Sequence, residues 1–122
     1  MTVYEREIKN RKQALADFLK VGVEMIGYDE DQDTYLYEDQ KYMILDDNEA
    51  DEEVEEEIKN SLLILQTMMS ENHQPVIEGL IEDMKIFVKD AIREYGRGHF
   101  LANYDLEEEY MDTYYIYRLN WF

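Results

Sequence analysis

Tyr42-Met43-Ile44-Leu45-Asp46-Asp47-Asn48-Glu49-Ala50-Asp51-Glu52-Glu53-Val54-Glu55-Glu56-Glu57 is the junction on which the fold turns. Its first four residues read as a strand. Its last twelve carry nine acids and no base, and they run into an apolar stretch from Ile58 to Met69. Val54, Ile58, Leu62, Leu65 and Met69 recur at helical spacing, broadened by Leu63 and Ile64. The acids therefore open a helix over 48–70 and are not a free tail. Asp46 or Asp47 suits its N-cap, and carboxylates in a first turn complement the positive end of the helix dipole. That preference fades within about one turn, whereas the acids continue for nearly three. Glu49/Glu53, Glu52/Glu56 and Glu53/Glu57 are like-charge i,i+4 pairs, each unfavourable by roughly 0.2–0.5 kcal/mol. Helix formation alone does not require this excess.

Toward the N-terminus, residues 4–26 read as an amphipathic helix. Ile8, Leu15, Phe18, Leu19, Val23 and Ile26 recur at three- and four-residue spacing. Glu5/Lys9 and Glu7/Arg11 are favourable pairs with the acid first. Gly22 weakens the far end and Gly27 suits a stop. The acidic loop Tyr28-Asp29-Glu30-Asp31-Gln32-Asp33 suggests a calcium loop, but an EF-hand starting at Asp29 needs Gly at its sixth position and Glu at its twelfth. Thr34 and Gln40 stand there, so a solvated acidic loop is the reading. Thr34 to Tyr37 and Lys41 to Leu45 then form a β-hairpin about Glu38-Asp39-Gln40. That turn lacks Gly, which leaves its register open.

Toward the C-terminus, Ser70-Glu71-Asn72-His73-Gln74 is a polar break, and Pro75 suits a first helical turn. A third helix spans 75–95, with Ile77, Leu80, Ile81, Met84, Phe87, Val88, Ala91, Ile92 and Tyr95 in phase. Gly96-Arg97-Gly98 ends it, with Gly96 or Gly98 supplying a positive φ. Residues 99–112 read as a loop containing a short helical turn at Asp105–Tyr110. Thr113 to Leu119 reads as a strand whose natural partner is the 34–45 hairpin.

The chain has 122 residues and 45% apolar composition, enough for a single domain, 1–122, with a modest core. It has no cysteine, which excludes disulfides and thiolate chemistry and fits a reducing compartment. No apolar run approaches the ~20 residues of a membrane span, and the N-terminus has no signal-peptide pattern. The net charge is −18. Such a charge repels nucleic acid and anionic membranes and attracts basic surfaces. It is also placed in blocks. Residues 28–57 hold fifteen acids and one base, and 105–112 hold five acids and no base. Residues 1–20 carry five bases and three acids, and 58–104 carry six acids and five bases.

Three constellations could carry function. The first is the acidic surface. Nine charges over a helical segment of roughly 18 Å approach the one charge per ~1.7 Å of duplex DNA. Such a surface mimics phosphates and fits a basic nucleic-acid channel. Its candidate partner-binding residues are Asp46, Asp47, Glu49, Asp51, Glu52, Glu53, Glu55, Glu56 and Glu57, extended by Asp105, Glu107, Glu108, Glu109 and Tyr110. The bland alternative is a solvated helix face. The second constellation is the eleven tyrosines. Tyr104, Tyr110, Tyr114, Tyr115 and Tyr117 cluster near the C-terminus, and tyrosine among carboxylates suits a protein interface. Alternation along a strand assigns about half of them to the core. The third is His99 with Asp105, or His73 with nearby acids; two histidines outside any ligand-spaced motif make weak metal candidates. No catalytic motif, cofactor loop or metal set is present, so a non-enzyme is expected. Arg97, His99 and Arg118 stand among aromatics. They either bind acids of the same fold, such as Asp105 or Glu94, and pin the C-terminal segment, or they form a small binding site.

Arg97-Gly98-His99-Phe100-Leu101-Ala102-Asn103-Tyr104-Asp105, followed by Tyr114-Tyr115-Ile116-Tyr117-Arg118-Leu119-Asn120, resembles the ending of small uncharacterised acidic proteins of phages and prophages. Tyr42 to Glu52 is similar to a segment of the same group, and the likeness covers roughly residues 40–120. Members often have Gly after the Tyr-Asp pair, where Leu106 stands here, and a shorter connection than Glu107 to Asp112. The resemblance implies a phage origin and a role in the host cell cytoplasm, and it brings no activity with it. In size and charge, though not in motif, the chain also resembles phage DNA-mimic anti-restriction and anti-CRISPR proteins.

The expected fold is α+β, a three-stranded antiparallel sheet with three helices packed on one face. The expected function is an anti-defence inhibitor that occupies the basic groove of a host nucleic-acid-binding defence protein. It would bind no nucleic acid itself, touch no membrane and need no cofactor, and a homodimer is left open. The alternative is an interaction or regulatory module that uses its tyrosine-rich sheet, with charge serving solubility alone.

Overall fold

A computed structural model describes residues 2–68 and 84–120 of the chain. The expected break at 70–74, Pro75, His73 and the first part of the 75–95 helix lie outside the described residues. The architecture is α+β. Helix α1 spans Val3–Leu19, and a single 3-10 turn follows at Val23–Met25. Strands β1 (Gly27–Asp29), β2 (Thr34–Tyr37) and β3 (Gln40–Leu45) lead into helix α2 (Asp47–Met68). Helices α3 (Met84–Tyr95) and α4 (Arg97–Leu101) precede strands β4 (Glu109–Met111) and β5 (Tyr114–Leu119). The sheet has five strands in the order β1-β2-β3-β5-β4, every neighbouring pair antiparallel.

Two short edge strands therefore extend the expected three. β1 falls in the acidic loop, and β4 falls where a helical turn was expected at 105–110. Each has three residues, too few for a period-two pattern to emerge. The pairing of the 113–119 segment with the hairpin holds, through Lys41↔Leu119 to Leu45↔Tyr115. The hairpin turn is tighter than expected: Tyr37 pairs with Gln40, leaving Glu38-Asp39 as a two-residue loop.

Helix α1 is capped by Thr2, whose Oγ1 accepts from Glu5 N at 3.1 Å. It ends before either glycine. Lys20 takes the left-handed conformation, φ 61°, and its N–H bonds Ala16 O. The expected extension to residue 26 fails because the chain must turn at once to enter β1, where Gly27 pairs with Leu36. Gly96 does supply the positive φ that ends α3, at 80°. Gly98 has a different role. A Cβ there would lie 2.6 Å from Glu107 C and 2.7 Å from Glu108 N, so α4 rests against the backbone leading into β4. Leu106 occupies φ 60°, and its N–H closes a turn onto Ala102 O at 2.6 Å. Gly is the residue favoured in that conformation.

The helices do not share one face. Tyr42 and Ile44 of β3 and Ile116 of β5 pack with Leu15 and Ala16 of α1, together with Tyr35 and Ile26. The alternate residues, Leu45 of β3 and Tyr117 of β5, pack with Ala50, Val54 and Ile58 of α2, Val88 of α3 and Leu101 of α4. The central strands are covered on both sides, one core against α1 and a second against the remaining helices. The unbroken apolar runs Tyr42–Leu45 and Tyr114–Tyr117 are the sequence counterpart, since a strand buried on both faces loses its polar alternation.

Candidate acidic interface

The start of α2 is built from its own carboxylates. Asp46 Oδ1 accepts from Glu49 N at 2.9 Å, and Glu49 Oε1 accepts from Asp46 N at 2.9 Å. This is a reciprocal capping box, which satisfies two backbone donors at the helix start. Glu49 Oε1 also receives Arg11 Nη2 at 2.7 Å, while Arg11 Nη1 donates to Ile44 O at 2.6 Å. Arg11 is buried and sits 5.1 Å from the Tyr114 ring centre. The helical pairing of Arg11 with Glu7 gives way to this longer-range contact.

Arg97 organises the other side of the same helix start. Its side chain is only 9% exposed. Nη1 donates to Asp47 Oδ1 at 2.9 Å, to Asp47 O at 3.1 Å and to Asp51 Oδ1 at 3.0 Å. Nε donates to Glu108 Oε2 at 2.8 Å, and the guanidinium lies 4.3 Å from the Tyr115 ring centre. Burial opposes the Arg97 charge, but the hydrogen bonds to Glu108 and Asp47 outweigh it and hold the Arg97 pKa up. Tyr117, fully buried, donates its hydroxyl to Glu108. Burial first, and this bond second, push the Tyr117 phenol well above its ordinary value. A third arginine repeats the pattern: Arg118 Nη1 donates to Asp105 Oδ2 at 3.1 Å and faces the rings of Phe18 and Tyr42 at 5.4 and 5.9 Å. Arg97 and Arg118 thus bind acids of their own fold, Arg118 through the expected Asp105 and Arg97 through Asp47, Asp51 and Glu108. His99 instead stacks on Tyr95, 5.1 Å between ring centres, with Phe100 edge-on at 5.0 Å.

The candidate residues therefore divide. Asp46, Asp47, Glu49 and Asp51 of the first stretch, and Asp105 and Glu108 of the second, have internal partners. Glu52, Glu53, Glu56 and Glu57 are exposed on α2 and Glu55 is half-buried. Glu107 is exposed, Glu109 is half-buried within β4, and Tyr110 is 58% exposed with its ring 5.0 Å from Tyr115. Arg97 brings Glu108 to the start of α2, whereas Asp105 is drawn toward Arg118. From the 28–33 loop, Asp33 approaches the same helix. The Glu53 carboxyl is raised by partial burial and then by the charges of Glu56, Glu57, Glu49 and Asp33. Asp29 turns inward, its Oδ1 accepting from Asp31 N at 3.0 Å.

Sequence reasoning missed Arg11 as a member of this region, because Arg11 carried a local i,i+4 explanation that hid its distant one. Whether the acidic residues 29–33 join the stretch was open from sequence; the β1–β2 turn carries Asp33 of that loop to α2. Chemically the surface offers acceptors: ionised carboxylates take hydrogen bonds from guanidinium, ammonium or backbone N–H groups. Among the described residues, no group of three or more His, Cys, Asp or Glu side chains is arranged to hold a metal ion, and no helix is long and apolar enough to cross a membrane. No protein family, curated protein or solved structure matches the chain.

Proposed function

We propose that this protein is a phage-encoded anti-defence inhibitor, of anti-CRISPR or anti-restriction type, that covers the basic nucleic-acid groove of a host defence protein in the host cytoplasm. The observation that carries this reading is the set of exposed carboxylates Glu52, Glu53, Glu56 and Glu57 held on the ordered helix α2; burial first, and the neighbouring charges second, raise the Glu53 carboxyl. A structural charge would be paired, as Asp47 and Asp51 are with Arg97. The outer carboxylates of α2 instead repel one another on an ordered helix, which favours a cationic partner that relieves the repulsion on binding. Their spacing along the helix is of the order of a phosphate backbone.

The test is inhibition of purified defence nucleases. Reversal of Glu52, Glu53, Glu56 and Glu57 to Lys is expected to abolish inhibition while leaving the fold intact, because these side chains point to solvent. Binding is expected to weaken steeply with salt and to compete with DNA or RNA. Inhibition that survives the reversal, or a wild-type protein that captures no defence effector from host extract at low salt, overturns the reading.

A further inference from the structure

At the hairpin end of the sheet, away from the acidic start of α2, Tyr37, Tyr42 and Tyr104 line an open cleft of about 540 Å³ with Glu38, Asp39 and Leu119. Tyr37 and Tyr104, with the carboxylates of Glu38 and Asp39, form its wall, Tyr42 bordering it from the core, and no basic residue lines it among the described residues. Arg118, which faces Tyr42 from the neighbouring strand, is bound to Asp105. Rings with carboxylates beside them recognise organic cations: the ring faces attract the charge, and the carboxylates accept its N–H groups.

Two further features belong to a built site. Tyr104 is 61% exposed yet firmly held. Its N–H reaches Arg118 O at 3.3 Å, and its neighbour Asn103 accepts two bonds from Asn120, at 2.6 Å on Oδ1 and 3.1 Å on its carbonyl. An exposed aromatic on a fixed backbone presents its ring with little entropy left to lose on binding. Glu38 occupies φ 51° in the two-residue turn, where Gly or Asn is the favoured residue. A glutamate there places a carboxylate at the cleft at the expense of backbone strain, and such strain concentrates at functional positions.

We infer that this cleft binds a basic side chain, arginine or lysine, presented by a protein partner. The inference deepens the proposed function by giving the partner's basic surface a second anchor, separate from the α2 carboxylates. The molecule's −18 charge selects a cationic occupant, and the rings distinguish the cleft from the rest of the acidic surface.

The probe is N-acetyl-arginine amide, with the neutral isostere N-acetyl-citrulline amide as comparator. Both are titrated into the whole protein and followed by amide NMR at about 0.15 M salt, where diffuse charge effects are screened. Arginine amide is expected to bind in the millimolar range, with shifts confined to residues 37–42, 104, 119 and 120, and citrulline amide at least about tenfold more weakly. Tyr104→Ala and Glu38→Gln are each expected to weaken binding by roughly tenfold, with Tyr104→Leu as a second test of the ring should the alanine variant not fold. Glu38→Gly is expected to raise the melting temperature while weakening binding, a pairing that a merely structural glutamate would not give. Equal binding of the citrulline probe, shifts spread over 46–57, or unchanged affinity in the Tyr104 variants overturns the inference. The titration contains no nuclease, so its failure leaves the proposed inhibition standing, and the failure of inhibition leaves the cleft standing.

Discussion

Arg97 Nε donates to Glu108 Oε2 at 2.8 Å, across eleven residues of chain. The same guanidinium holds Asp47 and Asp51 of α2 and covers Tyr115 of β5. One side chain thereby joins the start of the long helix, the approach to the edge strand and the second core. A planar five-donor group over an aromatic ring suits this task in a way that an ammonium does not.

Replacing Arg97 with Ala is expected to destabilise the fold by roughly 2–4 kcal/mol. That is below the full effect of breaking a buried pair, because Asp47 and Asp51 remain largely in water. Arg97→Lys recovers the charge but not the fork, and is expected to restore less than half of the loss. Urea unfolding midpoints of the three proteins measure this; an alanine variant as stable as wild type would show that the cluster is decorative.

Gly98→Ala is expected to be the more damaging of two glycine substitutions. Its Cβ meets backbone atoms of Glu107 and Glu108 below 3.0 Å, and backbone cannot rotate aside. The displaced segment carries Glu108 away from Arg97 and Tyr117, so a loss of roughly 2–4 kcal/mol follows. At Gly96 there is open space, and only the positive φ opposes a side chain, so Gly96→Ala is expected to lose about 1–2 kcal/mol. Thermal unfolding of both variants checks the order.

Non-glycine residues in the left-handed region offer stabilising changes. Leu106 lies at φ 60° and Thr113 at φ 71°, the latter beside Asp112 at 53° in the β4–β5 turn. A left-handed L-residue costs about 1–2 kcal/mol, and glycine's greater freedom in the unfolded chain offsets roughly 0.5–1 of the relief. Leu106→Gly and Thr113→Gly are each expected to gain about 0.5–1 kcal/mol, with β-branched Thr113 at the upper end. The two sites lie in separate turns, and the double variant is expected to be additive. Melting temperatures of the single and double variants test this.

Acidification has a defined sign. The Glu53 carboxyl is raised above its ordinary value, so the native state holds that proton more tightly than the unfolded chain. Partial burial of Glu53, and then the repulsion of its neighbours, disfavour the ionised form in the fold at neutral pH. Relief begins as pH falls through the raised value and is complete near the unfolded value of 4.5. Asp112 is raised by its hydrogen bond with Asp17 and acts in the same direction, while Asp17 is lowered by that bond and acts oppositely. Glu53→Gln is therefore expected to be more stable than wild type at neutral pH, with the difference shrinking toward the unfolded carboxyl value. Added salt is expected to raise the wild-type melting temperature by screening thirty acids against twelve bases. Denaturant midpoints across pH and salt report both effects.

Much of this molecule is legible along the chain because it depends on neighbours in sequence. The helical phase of Val54 and Ile58 places both in the core, the strand at Tyr114–Leu119 pairs with the hairpin, and Gly96 terminates α3. Each follows from local periodicity or backbone sterics, which a few adjacent residues settle. The acidic run at 46–57 was legible as an anomaly, but its division was not. Only the tertiary structure decided that Asp46 and Glu49 cap the helix, that Asp47 and Asp51 neutralise Arg97, and that Glu52, Glu53, Glu56 and Glu57 remain outward. Arg97 lies 46 and 50 positions from its α2 partners and Arg11 lies 38 from Glu49, and pairing over such separations leaves no period to read. The two-sided sheet was open to a local reading, in the unbroken apolar runs of β3 and β5. Which helix covers which face was not, because that depends on how the loops turn and on which packing buries both cores at once.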